Sequence, residues 1–546
     1  MESIVTTMLG RPKQNNNKEI VLYGGDLKFP PCDQNFGQIL LNQMALHSDK
    51  IAQVHPIHNI SYTHGQIRLF TIRCALEMRT MGVRKGDVVT ICGRNHSHVI
   101  IPFLAATYLG AISNPLHPNF SASEVRRMMT LTEPRMIFCD SEAKPMILAI
   151  RNELGLASRI VTFDNEFEPF IAPHDYQDET SFKCEDVDPE NDNMFIVCTS
   201  GTTGFIKGVT IRHAAFYTSV VEFLDEIEED ERLLIYSPVS WVTSIWITGL
   251  VFYKGATKFI CEYEPIRNLE IITEYKITWI LSSPMLLMQM IRHPLFPKYE
   301  TKIVETLRSI FYGGAAGTDE QLKEFRRVFP NAFLFNGYGS SEGCVLHVWF
   351  NRKKDVKLNL SKINSSGYPV PGGYAKVIDP DTGKTLGVNE PGEFLLKSPS
   401  MTKGYYKNPE ATAEAIDKDG WYHSGDMVKF DNDNCFYVLG RYKEMLKYRC
   451  WQVSPAELEE VIRSHPAVNM VCVMGKPNED DGEWPVAFIV KKNSMADVTG
   501  DDIIAFVNDQ VADHQKLRGG VIFVDSLPMT SSGKVRRIEL KKLIEG

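Results

Sequence analysis

The chain has 546 residues, of which 43% are hydrophobic and 23% charged. That length exceeds the ~100–200 residues of one ordinary domain, and the composition excludes a disordered tail protein, a collagen and a coiled coil. Fifty-nine Lys and Arg against 68 Asp and Glu leave a net charge of −9, which argues against nucleic-acid binding, where clustered excess cations are required.

The N-terminus, MESIVTTMLGRPKQNNNK, lacks a cationic start followed by an apolar core and does not read as a secretory signal. Thr63-His64-Gly65-Gln66 is a capping box, since a Thr oxygen and a Gln three residues on satisfy amides at a helix start. The helix pattern runs through Ile67, Phe70, Cys74, Met78 and Met81 and stops at Gly82. Residues 88–92 form a β-branched run, hence a strand. The helix after it passes Phe103 and Leu109, inside VIIPFLAATYLGAI, the longest apolar stretch. This stretch falls short of the ~20 residues that span a bilayer, so no transmembrane segment is expected. Ser121 and Glu124 make a second capping box, and residues 136–139 another strand. Strand alternating with helix implies parallel sheets with crossover helices. Solenoid-type repeats are absent from the sequence.

Residues 194–197 are an apolar β run that feeds Thr199-Ser200-Gly201-Thr202-Thr203-Gly204-Phe205-Ile206-Lys207-Gly208. Glycines let the backbone close round a ligand, and amides with hydroxyls suit phosphate oxygens. Lys207 adds a point charge. The spacing is not that of a Walker loop. A plain Ser/Thr/Gly surface linker is the bland alternative; the strand before and the lysine after favour phosphate binding.

The texture changes near residue 440. A polar hairpin at 430–436 precedes Gly440-Arg441-Tyr442-Lys443, and Ser454-Pro455-Ala456-Glu457 then opens a helix with a cap and Pro at the first position. Helix 458–462, strands 468–474 and 486–490, a helix from 501 and a strand at 521–524 make a small α+β unit of about a hundred residues. The hinge is read at 440–442, dividing domains 1–440 and 441–546. Eleven scattered cysteines with no CxxC pair read as reduced thiols of a cytoplasmic protein. The C-terminus, KKLIEG, is not an SKL-type peroxisomal address.

The segment 197–209 resembles the phosphate loop of the adenylate-forming superfamily: acyl-CoA synthetases, aryl-CoA ligases, peptide-synthetase adenylation domains and beetle luciferases. Ile206 stands for the usual proline. Tyr312-Gly313-Gly314-Ala315-Ala316 resembles the adenine-side glycine turn, and Asn336-Gly337-Tyr338-Gly339-Ser340-Ser341-Glu342 the GYGxTE motif with Ser341 for Thr. Tyr422-His423-Ser424-Gly425-Asp426, Gly440-Arg441-Tyr442-Lys443-Glu444 and Ser532-Gly533-Lys534 resemble, in order, the family's W-x-x-[ST]-G-D, hinge and terminal lysine motifs. The resemblance runs from about residue 40 to about residue 540.

The resemblance implies an α/β fold with a large N-terminal domain of parallel sheets, flanking helices and a β-barrel-like part, hinged to a mobile α+β cap. It implies ATP, Mg²⁺ and CoA. Thr199, Ser200, Gly201, Thr202, Thr203, Gly204 and Lys207 would hold phosphates, and Gly314, Ala315 and Gly339 would border the nucleotide. Tyr338 would stack on adenine, Ser341 bond the α-phosphate, Glu342 hold the metal and Asp426 accept the ribose hydroxyls. Arg441 would add a ribose contact or a closing salt bridge. Lys534 would bridge carboxylate and α-phosphate, so that Lys534, Lys207 and Ser341 form the catalytic set. Simpler readings stand beside these: core packing for Tyr338, a turn carboxylate for Glu342, a turn cap for Asp426, an exposed tail residue for Lys534.

The acyl pocket is expected at 237–246 and 281–290, with Ser240, Trp241, Val242 and Ser283; plain core is an alternative for Trp241 and Trp246. No histidine occupies the place where beetle luciferases carry a His-His-Gly-Phe-Gly type sequence. The face expected to meet CoA holds Lys447, Tyr448, Arg449, Cys450 and Trp451, with Cys450 where the family usually has glycine. The implied reaction turns a fatty or aryl acid into an acyl-adenylate, then an acyl-CoA, with AMP and pyrophosphate released. A luciferase-like monooxygenase and a non-catalytic binding protein are the alternatives. Oligomeric state stays open, as does peroxisomal import by a partner.

Overall fold

The computed structural model describes residues 19–200, 206–314, 317, 319–448, 451–478, 481–492, 495, 497–511, 513–529 and 534–545. The chain divides into two compact units, one holding residues 21–375 and 396–422, the other 376–395 and 423 onward. Among the described residues no helix is long and apolar enough to cross a membrane.

The first unit contains two large sheets. One has six strands in the order Arg159–Thr162, Met136–Cys139, Val88–Cys92, Ile112–Pro115, Asn193–Ser200, Ile206–Arg212. Its neighbours run parallel except the last pair. Strand Val88–Cys92 is buried at every position, the mark of a parallel strand covered on both faces. Helices Ala122–Thr132 and Lys144–Glu153 lay Val125, Met128, Ile147 and Ile150 on this sheet. Both expected capping boxes, at Thr63 and Ser121, are formed. The return strand Ile206–Arg212 is not among the strands expected from the sequence, where residues 197–209 read as a phosphate loop. It forms because all its residues but Lys207 are buried, and an antiparallel hairpin satisfies their amides.

The second sheet orders seven strands as Phe333–Asn336, Ser309–Tyr312, Trp279–Ser282, Arg232–Ile235, Thr257–Ile260, Ile51–His55, Ile60–Thr63. All neighbours are parallel except the terminal pair. Tyr312 pairs with Asn336, so two adjacent strands end together and release their glycine turns at one sheet edge. Ligands of open α/β sheets gather at such carboxyl ends.

Lys258 lies inside this sheet, 3% exposed. Its Nζ donates to Thr248 Oγ1 at 3.0 Å and lies 5.1 Å from the Phe252 ring. Burial pushes its pKa down to about 7. The unfolded chain keeps this proton up to ~10.4, so between these values unfolding takes up a proton and stability rises with pH. From pH ~7 to ~9 this group is expected to add about 1.4 kcal/mol per pH unit. Urea denaturation should show that slope disappear in Lys258→Met, with higher stability at neutral pH. An unchanged pH dependence would refute the assignment.

In the second unit, strand Phe436–Arg441 pairs antiparallel with Tyr422–Phe430. A further sheet joins Trp451–Val453, Leu446–Tyr448, Gly482–Lys491 and Val468–Asn478, with Gly520–Phe523 beside Gly482–Lys491. Helix Pro455–Arg463 starts where Ser454 accepts from the Glu457 amide. Helix Gly500–Asn508 is capped by Thr499 and Asp502. Leu458, Ile462, Val473, Ile489 and Ile503 form the core of this unit.

Candidate active site

The hairpin of Asn193–Ser200 and Ile206–Arg212 sets Thr199 opposite Lys207 and Ser200 opposite Ile206. Lys207 thus stands at the mouth of the loop. Gly201, Thr202, Thr203 and Gly204 lie outside the described residues, as does Ala315.

Lys207 Nζ lies 5.1 Å from the centroid of the Tyr405 ring, a cation–π distance. The Tyr405 hydroxyl donates to Glu342 Oε1 at 2.8 Å. Glu342 is 7% exposed, and its backbone carbonyl accepts from the Thr402 amide at 2.8 Å. Tyr405 therefore joins the lysine of the phosphate loop to the expected metal carboxylate. No sequence motif singled it out. The only signal is Gly404 before it, at φ +148°, whose carbonyl accepts the Thr210 amide at 3.3 Å and fastens residue 405 against the hairpin. Glu342 suits a hard divalent ion: it is a buried carboxylate, oriented through one oxygen, that leaves the other to coordinate.

The turn 336–342 closes tightly. A Cβ on Gly339 would sit 1.5 Å from the Val345 carbonyl oxygen, so only glycine permits the approach. Gly314, at φ +80°, is exposed with open space where a Cβ would stand. Tyr338 is half-buried, its ring 5.7 Å from His347. Ser340 Oγ and His347 Nε2 are 2.9 Å apart. His347 also stacks on Tyr422 at 5.9 Å, and burial pushes its pKa down to about 3, so it is a neutral hydrogen-bonding prop near pH 7. The sequence reading did not find it; a histidine five residues after Glu342 was the available signal. The Ser341 carbonyl accepts from the Cys344 amide at 3.1 Å.

Ser240 is 7% exposed, and its Oγ has no hydrogen-bond partner among the described residues. Trp241 precedes helix Val242–Lys254 and is 36% exposed, whereas Val242 is buried. Ser283 caps helix Pro284–Ile291 by accepting from the Leu286 amide at 3.2 Å, so its hydroxyl already serves the fold. Trp246 is 2% exposed, donates to the Ser219 carbonyl at 2.6 Å, and meets Phe223 edge-on at 5.6 Å. Among the alternatives for the two tryptophans, Trp246 is core.

In the second unit Asp426 is 8% exposed, and its Oδ1 lies 2.9 Å from Arg441 Nε. Arg441 Nη1 also donates to the Ser424 carbonyl at 2.9 Å, and Ser424 Oγ accepts from the Asp426 amide at 3.1 Å. The expected hinge arginine therefore holds the expected ribose carboxylate across one strand pair. Gly440 has φ +137°. Lys534 is exposed, just before Val535, which bridges to Met529. Tyr448 is 3% exposed and belongs to the core, with the Arg518 guanidinium 4.6 Å from its ring, which leaves little of it to meet CoA. Arg449 and Cys450 lie outside the described residues, and the side chain of Lys447 is likewise not described.

Residues 40–406 match the family model of the AMP-binding enzymes, and residues 457–534 that of the AMP-binding enzyme C-terminal domain. 4-Coumarate-CoA ligase 1 of Narcissus pseudonarcissus is 29% identical over 93% of this chain and 92% of its own. Luciferin 4-monooxygenase of Luciola mingrelica is 29% identical over 97% and 98%. The ATP-bound structure of MatB from Rhodopseudomonas palustris superposes with a TM-score of 0.83 at 22% identity, over 93% of this chain and 98% of that one. With its phosphate hairpin, glycine turns and C-terminal module matched in order, the chain belongs to the AMP-binding enzymes, the adenylate-forming superfamily.

Proposed function

We propose that this enzyme activates a fatty or aryl carboxylic acid with ATP to an acyl-adenylate and passes the acyl group to CoA. The observation that supports the reading is the chain Lys207–Tyr405–Glu342, which links a cation at the mouth of the hairpin to a buried carboxylate suited to a divalent ion. A carboxylate is a weak nucleophile and is repelled by the phosphates of ATP. Lys207 and Lys534 would offset that charge and Ser341 would bond the α-phosphate, so catalysis is mostly positioning and electrostatics. Mg²⁺, when bound, would neutralise phosphate charge, held by Glu342 together with phosphate oxygens. Asp426, fixed by Arg441, would take the ribose hydroxyls.

The test is incubation with Mg-ATP, CoA and a panel of carboxylic acids, following pyrophosphate, thioester and light. Pyrophosphate with thioester is expected. Pyrophosphate with light and no thioester would favour the second reading, oxygenation of an adenylated luciferin, which the Luciola relative supports at the same identity as the ligase. No pyrophosphate with any acid would overturn both.

Tyr405→Phe removes the hydroxyl that orients Glu342 but keeps the ring beneath Lys207. The Mg²⁺ concentration for half-maximal pyrophosphate release is expected to rise ~10–100-fold, the usual cost of losing an outer partner of a metal ligand. An unchanged Mg²⁺ titration would remove Tyr405 from the site.

A further inference from the structure

A cavity of about 630 Å³ opens in the first unit beside Arg308, Arg326, Arg352 and helix Val356–Ser361. Arg308 immediately precedes strand Ser309–Tyr312, and Phe333 begins its neighbour. The cavity is therefore at the opposite end of these strands from the turns at 313–314 and 337–342. At ~3.3 Å per residue, four-residue strands separate the two ends by ~10 Å.

The three arginines differ in what they already hold. Arg308 is paired with Asp230 at 2.8 Å and Arg352 with Glu231 at 2.8 Å. Arg326 has no carboxylate among the described residues. Its Nη1 donates to the Ala332 carbonyl at 3.2 Å and its Nη2 to Asn359 Oδ1 at 3.3 Å, while its buried Nε has no partner among the described residues. Burial pushes its pKa below the ordinary arginine value, the direction expected of a cation without a counter-ion. The acid of the lining, Glu305, is exposed to water.

Besides Glu305, Asn331 and Asn359, the rest of the lining is apolar. Leu307 and Phe333 are buried, whereas Val356 and Leu360, one helical turn apart, are 44% and 50% exposed. Two large apolar side chains on one helix face, open to water beside a guanidinium with no carboxylate among the described residues, match a ligand with a charged head and a greasy body. A guanidinium binds a planar carboxylate through paired hydrogen bonds.

We propose that this cavity binds an amphipathic carboxylate, its head on Arg326 and its chain along Val356 and Leu360, at a site separate from the nucleotide turns. The site does not depend on which acid, if any, the enzyme activates. An inorganic anion would satisfy Arg326 but leave the apolar surface wet.

The full chain is photolabelled with a decanoate carrying a terminal diazirine, and the labelled peptides are mapped by mass spectrometry. Label is expected in peptides covering 304–308 and 352–361. The matching decanol probe should label these peptides about tenfold less, the value of one charge-assisted pairing. Arg326→Gln should lower the decanoate label by about as much. Leu360→Glu, at a half-exposed position where the fold tolerates charge, should lower it independently and covers the case in which the arginine variant does not fold. Label confined to other peptides, equal labelling by decanol, equal competition by inorganic phosphate and unlabelled decanoate, or label indifferent to Leu360→Glu would each overturn the proposal.

Discussion

Replacing Lys534 by alanine is expected to slow acyl-adenylate formation by ~10²–10³-fold, the usual cost of removing one preorganised donor to transition-state charge. ATP affinity should hardly change, because the triphosphate contacts are assigned to the hairpin with Lys207. The lysine lies in the second unit, exposed, twelve residues before the C-terminus. In isolation such a residue is an ordinary surface cation worth little. Its assigned role arises only in the reacting complex, where an incoming carboxylate meets the α-phosphate. Pyrophosphate release from Mg-ATP and acid, measured beside equilibrium ATP binding, separates the two. Thioester formation from preformed acyl-adenylate should survive in the same variant, since Lys534 is assigned to the adenylation step alone. Normal pyrophosphate release would return Lys534 to the surface-tail reading.

Trp246→Ala is expected to destabilise the first unit by ~3–5 kcal/mol, the range for emptying a buried aromatic position. The indole is 2% exposed, donates to the Ser219 carbonyl at 2.6 Å, and sits between Phe223 at 5.6 Å and Phe311 at 6.1 Å. Truncation removes apolar contact and leaves a buried carbonyl without its donor. Trp241→Ala, five residues away and 36% exposed, should change stability by less than ~1 kcal/mol and instead alter KM for the acid. Urea denaturation of both variants, with acid KM from pyrophosphate release, tests the pair. Equal destabilisation by the two would show that the helix start, not the individual ring, sets the cost.

The two tryptophans show where sequence reading stops. Both lie in one apolar segment, and nothing local distinguishes a core ring from one at a helix start. The distinction follows from packing: Phe223 and Phe311 are remote in sequence and reach Trp246 only in the folded unit. Ser283 teaches the same lesson in reverse. Expected at the acyl pocket, it also caps helix Pro284–Ile291, a role its place before Pro284 signals locally. Tyr448, expected to face CoA, is instead core beneath Arg518.

What the sequence determined by itself was local or ordered. The capping boxes at Thr63 and Ser121 form as written, because a cap needs only its own first turn. Buried strands such as Val88–Cys92 declare themselves by a β-branched run. The motifs, taken in order, identified the family, because each glycine or hydroxyl answers a backbone or ligand requirement at one place. Only the tertiary structure joined Glu342 to Tyr405, 63 positions apart, set Tyr405 under Lys207, and placed Arg326, with no carboxylate partner among the described residues, beside exposed Val356 and Leu360. These pairings arise from crossovers that bring distant strand ends and loops together, and a residue's neighbours in sequence carry no record of them. Length pointed to more than one domain, but the cooperation of distant side chains within one unit became visible only once the sheets were built.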